Sequence, residues 1–324
     1  MRLANDFSWS FSRRNTFDEC QKKYWYTYYG SWEGWPKTPY DKRPSIDPLA
    51  AHLYALKQMQ SIPTFVGTVV HNTIEHFLKE KKPFSESVLL EHAKAHFERG
   101  LDEAKHEVWR KSPKKHTNLF ECYYGGVLSE ESLEQARLKI NQSLVNWYSS
   151  PIVKELLFHP AASVLSVEAL EFFSLENQYK IIVVIDLALV WKGDTYILFD
   201  WKTGSETEKT EQQLYCYALF ANKVWQVPLD KIILAPFYLF TNTYYKIGKG
   251  QAKQIEQDKL EATEQGIVDS CKQLVVLHKN QDPQGFAYTQ ERSKCTTCPF
   301  KEVCEKGQYK DLSKEELREL VTQS

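Results

Sequence analysis

Residues 180–204, KIIVVIDLALVWKGDTYILFDWKTG, constrain the fold more than any other stretch of the chain. Residues 181–190 are apolar at nearly every position, the pattern of a strand buried on both faces, and one acid, Asp186, interrupts them. Residues 195–199 repeat the pattern and end in Asp200-Trp201-Lys202. If Lys192-Gly193-Asp194 is a three-residue hairpin loop, Trp191 pairs with Thr195, and counting inward sets Asp186 opposite Asp200. Strand alternation then puts Asp200 and Lys202 on one face and Trp201 on the other. Opposed Cβ atoms stand ~5 Å apart, where two like charges destabilise a sheet. Such a pair needs a cation between its carboxylates, a shared proton, or water, and Lys202 neutralises only one of them. A divalent ion held by Asp186 and Asp200 meets the need, and Mg²⁺ suits oxygen ligands that leave room for waters. The plainer alternative is an Asp–Lys pair at a strand end beside a hydrogen-bonded core aspartate.

The neighbouring segments frame that hairpin. Residues 163–175 and 231–240 read as further strands, and residues 208–223 and 251–277 as helices. Apolar residues recur at helical spacing over 65–79 (Val66, Val69, Val70, Ile74, Phe77, Leu78), and helices are expected at 86–110 and 130–149. Residues 36–63 carry five prolines and read as a loop with a short helix. Residues 1–35 hold eleven aromatics, so they pack against something. Helices, then a strand meander, then helix–strand–helix is a mixed α/β pattern, most simply one domain over 1–324 with a helical insertion at 80–160.

Composition removes several classes. With 41 basic against 42 acidic residues, the chain does not coat nucleic acid through bulk charge, and any phosphate contact is local. Aromatics at 14%, with 13 Gly and 13 Pro in 324 residues, exclude a collagen-like or disordered chain. No run of about 18 apolar residues is present, so no membrane span is expected. Residues 1–14 lack the apolar stretch of a secretory signal, and a cytoplasmic protein is expected. Three of the seven cysteines, Cys295, Cys298 and Cys304, fall within ten residues as C-x₂-C-x₅-C. In a reducing compartment this reads as metal binding, and three thiolates need a fourth ligand. Cys122, Cys216 and Cys271 sit in apolar or helical surroundings and read as small core residues. Cys20 lies in a segment polar around the sulfur and aromatic beyond it.

Two more stretches bear on the hairpin. Gln213 and Tyr217 share a face of the helix over 208–223, and Gly67-x-x-x-His71 lies on the helix over 65–79. Taken in order with Asp186 and Asp200-Trp201-Lys202-Thr203-Gly204, they resemble the PD-(D/E)XK nucleases of the RecB type. The resemblance implies a restriction-endonuclease-like mixed sheet flanked by helices, with residues 163–250 as the nuclease core. It further implies that His71, Asp186, Asp200 and the Trp201 carbonyl bind Mg²⁺ or Mn²⁺, the histidine making Mn²⁺ at least as suitable. Lys202 would position or help deprotonate the attacking water, Gln213 would orient Lys202 or the substrate, and Tyr217 would support that face. Glu168 sits where the family often has a glutamate and is a lesser candidate. Many members have a glycine a few residues before the first aspartate, where this chain has Val183-Val184-Ile185.

The spacing of Ser12, Phe17, Cys20 and Tyr24, together with the C-terminal cysteines, is similar to members that carry an iron–sulfur cluster. These include the CRISPR-associated RecB-like exonucleases and the AddB-like nuclease domains. The resemblance, over roughly 10–305, implies that Cys20, Cys295, Cys298 and Cys304 hold a [4Fe–4S] cluster joining residues 1–35 to 290–310. Zinc is the competing metal at such a site. The implied activity is a metal-dependent DNA exonuclease acting on single strands or DNA ends in repair, recombination or CRISPR-type processing. A helicase or CRISPR adaptation proteins would be its partners. The alternative is a non-catalytic DNA-binding or assembly subunit that kept the fold. Residues 204–210 lack the second glycine of a Walker A loop. Candidate phosphate contacts are Arg13, Arg14, Lys22 and Lys23, and Arg110, Lys111, Lys114 and Lys115, with N-terminal aromatics available to stack on unpaired bases.

Overall fold

A computed structural model describes residues 5–39, 41, 43–80, 82–125, 128–244 and 255–304. The strands are β1 (Trp9–Ser10), β2 (Ala162–Leu175), β3 (Tyr179–Trp191), β4 (Thr195–Lys202), β5 (Ile232–Tyr238) and β6 (Thr243–Tyr244). The N-terminal helices are α1 (Phe11–Glu19), α2 (Gln21–Trp25) and α3 (Pro48–Lys57). Next come α4 (Ile62–Glu80), α5 (Glu86–Lys105), α6 (Phe120–Tyr123) and α7 (Glu130–Ser149), and α8 (Glu208–Lys223), α9 (Gln257–Asn280) and α10 (Lys301–Cys304) follow.

The central hairpin has the expected register. Lys192 and Gly193 take left-handed φ values of 50° and 83°, and Trp191 pairs with Thr195. The mixed sheet runs β1–β3–β4–β5–β6, with β2 pairing β3 as well. β4 and β5 are parallel, so they need a crossover, and α8 supplies it. On β3, Ile182 pairs with Ser10 of β1, and Leu187 pairs with Phe199 of β4. Between those two rungs the sheet forks, and Asp186 stands at the fork.

Alternation along the strands divides the core in two. Leu187, Leu189, Ile197, Phe199 and Trp201 pack with α4, α5 and α7. Ala188 and Leu198 pack with α8, α9 and the N-terminal aromatics. The apolar stripe of α4 (Val66, Val69, Val70, Ile74, Phe77) is buried. This helix begins at Ile62, earlier than its apolar spacing suggested, because Pro63 falls in the first turn, where a missing N–H is tolerated. Both carboxylate oxygens of Glu121 accept the Ile62 N–H, at 3.0 and 3.1 Å, and close that end of the helix. α5 approaches so closely that a Cβ at Gly100 would lie 2.2 Å from Phe65 Cζ.

The N-terminal helices pack directly against residues 281–300. Trp25 Nε1 donates to the Gln281 carbonyl at 2.8 Å, the Lys22 N–H to Ala287 at 3.0 Å, and Tyr26 stacks on Phe300. This packing corrects two expectations. Of the N-terminal aromatics, Phe17, Tyr24, Trp25, Tyr26 and Tyr29 are buried core and closed to nucleobases, while Phe11 is only half-buried. Arg13 and Lys22 are also buried, Arg13 donating to the Tyr24 and Tyr29 hydroxyls and Lys22 to the Pro283 carbonyl, so neither offers a free phosphate contact. Arg14, Lys23 and Arg110 are ion-paired with Asp18, Glu19 and Glu107. The start of the helix expected at 251–277 (251–254), and residues 245–250 and 305–310 of the expected core and cluster segments, lie outside the described residues. Among the described residues, no helix is long and apolar enough to cross a membrane.

Candidate metal centre

At the fork, His71 of α4, Glu168 of β2 and Asp186 of β3 converge, with one ligand atom from each lying within 4.8 Å of the others. His71 Nδ1 is 3.1 Å from Glu168 Oε1 and 3.8 Å from Asp186 Oδ2, and its Nε2 is 2.9 Å from the Trp201 carbonyl oxygen. Around an octahedral ion with ligands at about 2.1 Å, adjacent ligand atoms stand about 3.0 Å apart and opposite ones about 4.2 Å. The Nδ1 separations from the two carboxylates fall within that range, as one Mg²⁺ or Mn²⁺ ion would set them, while the Trp201 carbonyl is engaged by the other ring nitrogen. Gly67, one turn before His71, helps α4 reach the hairpin: a Cβ there would already touch Thr203 Oγ1 at 3.4 Å.

Glu168 reaches the group through its backbone. Its φ is 46°, left-handed and in mid-strand, just past a register shift between Val164 and Ser166. A non-glycine residue held this way costs on the order of 1–3 kcal/mol, and such strain concentrates at functional sites. The flanking rungs, Val167–Leu187 and Ala169–Ile185, set Glu168 opposite Asp186. Val183, Val184 and Ile185 all keep negative φ, so this strand needs no glycine before the aspartate.

Asp200 sits beside the convergent group. The count from the loop places it opposite Asp186, yet the last rung of the ladder is Leu187–Phe199. Beyond that rung the strands part, and Asp186 Oδ2 accepts the Trp201 N–H at 2.6 Å. Asp200 is fully buried, with its carboxylate turned to Lys202. The Lys202 Nζ stands 2.9 Å from both oxygens but is aligned as a donor only to Oδ1, which leaves Oδ2 without a hydrogen bond. Tyr217 donates to Oδ1 at 3.4 Å and accepts from Gln213 Nε2 at 2.6 Å, while Gln213 Oε1 accepts from Lys202 at 3.1 Å. Asp200, Lys202, Gln213 and Tyr217 thus form a closed ring. A buried carboxylate oxygen without a donor is an atom that a cation would complete.

The protonation states follow from crowding. Burial, with the Asp200 and Glu168 charges adding, pushes Asp186 up to about 7 against the pull of His71. Asp200 is raised by burial in spite of Lys202. Burial alone would lower His71, but Asp186 and Glu168 outweigh it and bring the imidazole up to about 9. Metal-free, the group holds extra protons, and a divalent cation would displace them. A cleft of about 590 Å³ opens beside it, reaching Asp186, Lys202, Gln213 and Tyr217 and walled by Ser12 of α1 and Lys209 of α8.

Cys20, Cys295, Cys298 and Cys304 line a separate pocket of about 240 Å³ with Tyr26 and Lys301. Cys20 also accepts the Lys23 N–H at the start of α2. Burial first, then neighbouring cysteines, raises the Cys304 thiol to about 12, and burial likewise raises Cys298 to about 11. Among the described residues, no three cysteine sulfurs lie within 4.8 Å of one another. Cys216 and Cys271 are buried core residues, as expected, while Cys122 is half-buried.

No curated protein sequence matches the chain. The sequence model of the PD-(D/E)XK nuclease superfamily matches residues 8–305 and so takes in the fork, the ring and the four cysteines. The mixed sheet flanked by helices accords with that match. The chain belongs to the PD-(D/E)XK nuclease superfamily.

Proposed function

We propose that the protein is a RecB-type, metal-dependent deoxyribonuclease that hydrolyses phosphodiester bonds in single-stranded DNA or at DNA ends, working as an exonuclease. The observation that carries this reading is the convergence of His71, Glu168 and Asp186 beside the ring of Asp200, Lys202, Gln213 and Tyr217 at the mouth of one cleft. His71, Glu168, Asp186 and the Trp201 carbonyl would hold Mg²⁺ or Mn²⁺, with Oδ2 of Asp200, now ion-paired with Lys202, as a further ligand. Such an ion, when bound, lowers the pKa of water and stabilises charge on phosphoryl oxygens. Lys202, fixed by Asp200 and Gln213, would orient the attacking water and place a positive charge beside the phosphorus as negative charge develops there. Tyr217 would lock both partners of that lysine.

Four cysteines around one pocket support a metal site there, an iron–sulfur cluster first and zinc as the alternative. A tetrahedral zinc site with Zn–S bonds of about 2.3 Å draws its sulfurs to about 3.8 Å from one another. Among the described residues, no three of the four sulfurs stand that close together. In this reading Cys20, Cys295, Cys298 and Cys304 hold a [4Fe–4S] cluster with a structural role. The enzyme would act beside a helicase or CRISPR adaptation protein that delivers unpaired strands in repair, recombination or adaptation.

The test is anaerobic purification with iron and acid-labile sulfide analysis, then cleavage of end-labelled single strands with Mn²⁺ or Mg²⁺. Asp200→Ala and Lys202→Ala are expected to abolish cleavage and to keep the folded, iron-loaded protein. Undiminished cleavage by both variants rejects the site, and salt-sensitive DNA binding with no metal-dependent product supports a non-catalytic subunit instead.

A further inference from the structure

The ribbon of β2 and β3 is apolar on both faces, yet only one face is covered. Phe173, Ile181, Val183 and Ile185 are buried in the core. On the other face Leu170 is 66% exposed, Phe172 59% and Val184 37%. These residues are matched across the strands, Leu170 opposite Val184 and Phe172 opposite Ile182. Exposed apolar side chains grouped in this way mark contact surfaces, unlike the isolated ones common on any protein.

The location points to the occupant. Along β3, Ile182, Val184 and Asp186 alternate onto one face, so the apolar rungs continue the surface on which the metal-centre aspartate stands. Leu170, Ile182 and Val184 line the same cleft as Asp186 and Lys202. One rung follows another at two-residue intervals, ~7 Å apart, a step that an extended single strand can match nucleotide by nucleotide. The four side chains carry no hydrogen-bonding atoms, so they can touch the faces of bases but cannot read their edges. In a duplex those faces are hidden in the stack.

We propose that Leu170, Phe172, Ile182 and Val184 form a ledge on which unpaired nucleobases stack next to the scissile phosphodiester. The ledge selects single strands and is indifferent to their sequence. Lys180, whose Nζ lies 4.6 Å from the centre of the Phe172 ring, stands where the strand's phosphates would pass. This inference rests on the nuclease reading for the direction of the strand, but it can be tested apart from it.

The test compares the full-length protein with a Leu170→Ser/Phe172→Ser double variant. Fluorescence anisotropy, without divalent ion, measures binding of a labelled single-stranded oligodeoxynucleotide and of the same strand made abasic at several positions. Stacking on one ring or side chain changes affinity roughly five- to hundredfold per base. The wild type is expected to prefer the intact strand by at least tenfold, and the double variant to bind both strands as weakly as the wild type binds the abasic one. Both substituted side chains are more than half exposed, so melting should barely move. Should the double variant melt early, Phe172→Ser alone carries the same comparison. A variant that keeps the preference, a loss equal for both strands, or a wild type that binds neither strand overturns the ledge. Cleavage by the wild type with an unaffected variant overturns the ledge and leaves the nuclease reading standing. A ledge-dependent preference in a protein that cleaves nothing overturns the nuclease reading and leaves the ledge.

Discussion

Glu168→Gln tests the part of the metal centre that rests on backbone strain. The amide keeps the size and shape of the side chain and removes one negative charge. In the metal-free protein two effects oppose each other. Glu168 attracts the His71 imidazolium at 3.1 Å and repels Asp186 within 4.8 Å. At an effective dielectric constant near 20, each interaction is worth about 3–5 kcal/mol, so they largely cancel and the metal-free melting temperature should move by only a few degrees. A divalent ion changes the comparison, because it loses an anionic ligand and gains nothing in exchange. We expect Mn²⁺ affinity to fall at least ten- to hundredfold, the range found when even an outer partner of a metal ligand is removed. Isothermal titration with Mn²⁺ and thermal melts in EDTA give the two quantities separately. Unchanged Mn²⁺ affinity refutes the assignment of Glu168 as a ligand. A collapse of the metal-free protein shows instead that its carboxylate is structural.

Three further outcomes follow. Folding raises Asp186 to about 7 and His71 to about 9. The folded state therefore binds more protons than the unfolded one, and metal-free stability should fall as pH rises from about 4 to about 9, by up to about 4 kcal/mol for Asp186. Melts in EDTA across that range should show the slope, Asp186→Asn should flatten its lower half, and a flat wild-type profile contradicts the crowding. Tyr217→Phe removes the acceptor for Gln213 Nε2 and a donor to Asp200, so kcat should drop about tenfold for a stability loss of about 1 kcal/mol; an unchanged kcat argues against the ring. Gly100→Ala pushes a methyl group into Phe65 and Thr117 and should lower stability by about 1–3 kcal/mol in urea denaturation, whereas no loss would mean that α4 and α5 are less closely packed than described.

What the sequence disclosed depended on how local the cause was. The hairpin register could be counted because Lys192-Gly193-Asp194 is a loop of fixed length between two apolar runs, and the structure keeps that count from Trp191–Thr195 to Leu187–Phe199. The fork that follows could not be counted. It arises because the two-residue strand Trp9–Ser10, far away in sequence, takes the start of the same β3 edge. Glu168 is hidden for a similar reason: nothing in a strand pattern announces a left-handed residue that turns a glutamate inward. The aromatic N-terminus was rightly read as packed against something. Tyr24 and Tyr26 are closed to nucleobases because the rings that cover them, Phe286 and Phe300, are remote in sequence, while Phe11 lines the cleft. Phe172, exposed on the face that continues from the cleft, is in the sequence one more apolar residue of a strand.

Anomalous diffraction above the manganese edge, from crystals equilibrated with Mn²⁺, bears most directly on whether these side chains were assembled around a cation. The account predicts a peak bounded by the imidazole of His71, the carboxylates of Glu168, Asp186 and Asp200, and the Trp201 carbonyl. An ordered fork with no manganese in it, at saturating Mn²⁺, would contradict the account.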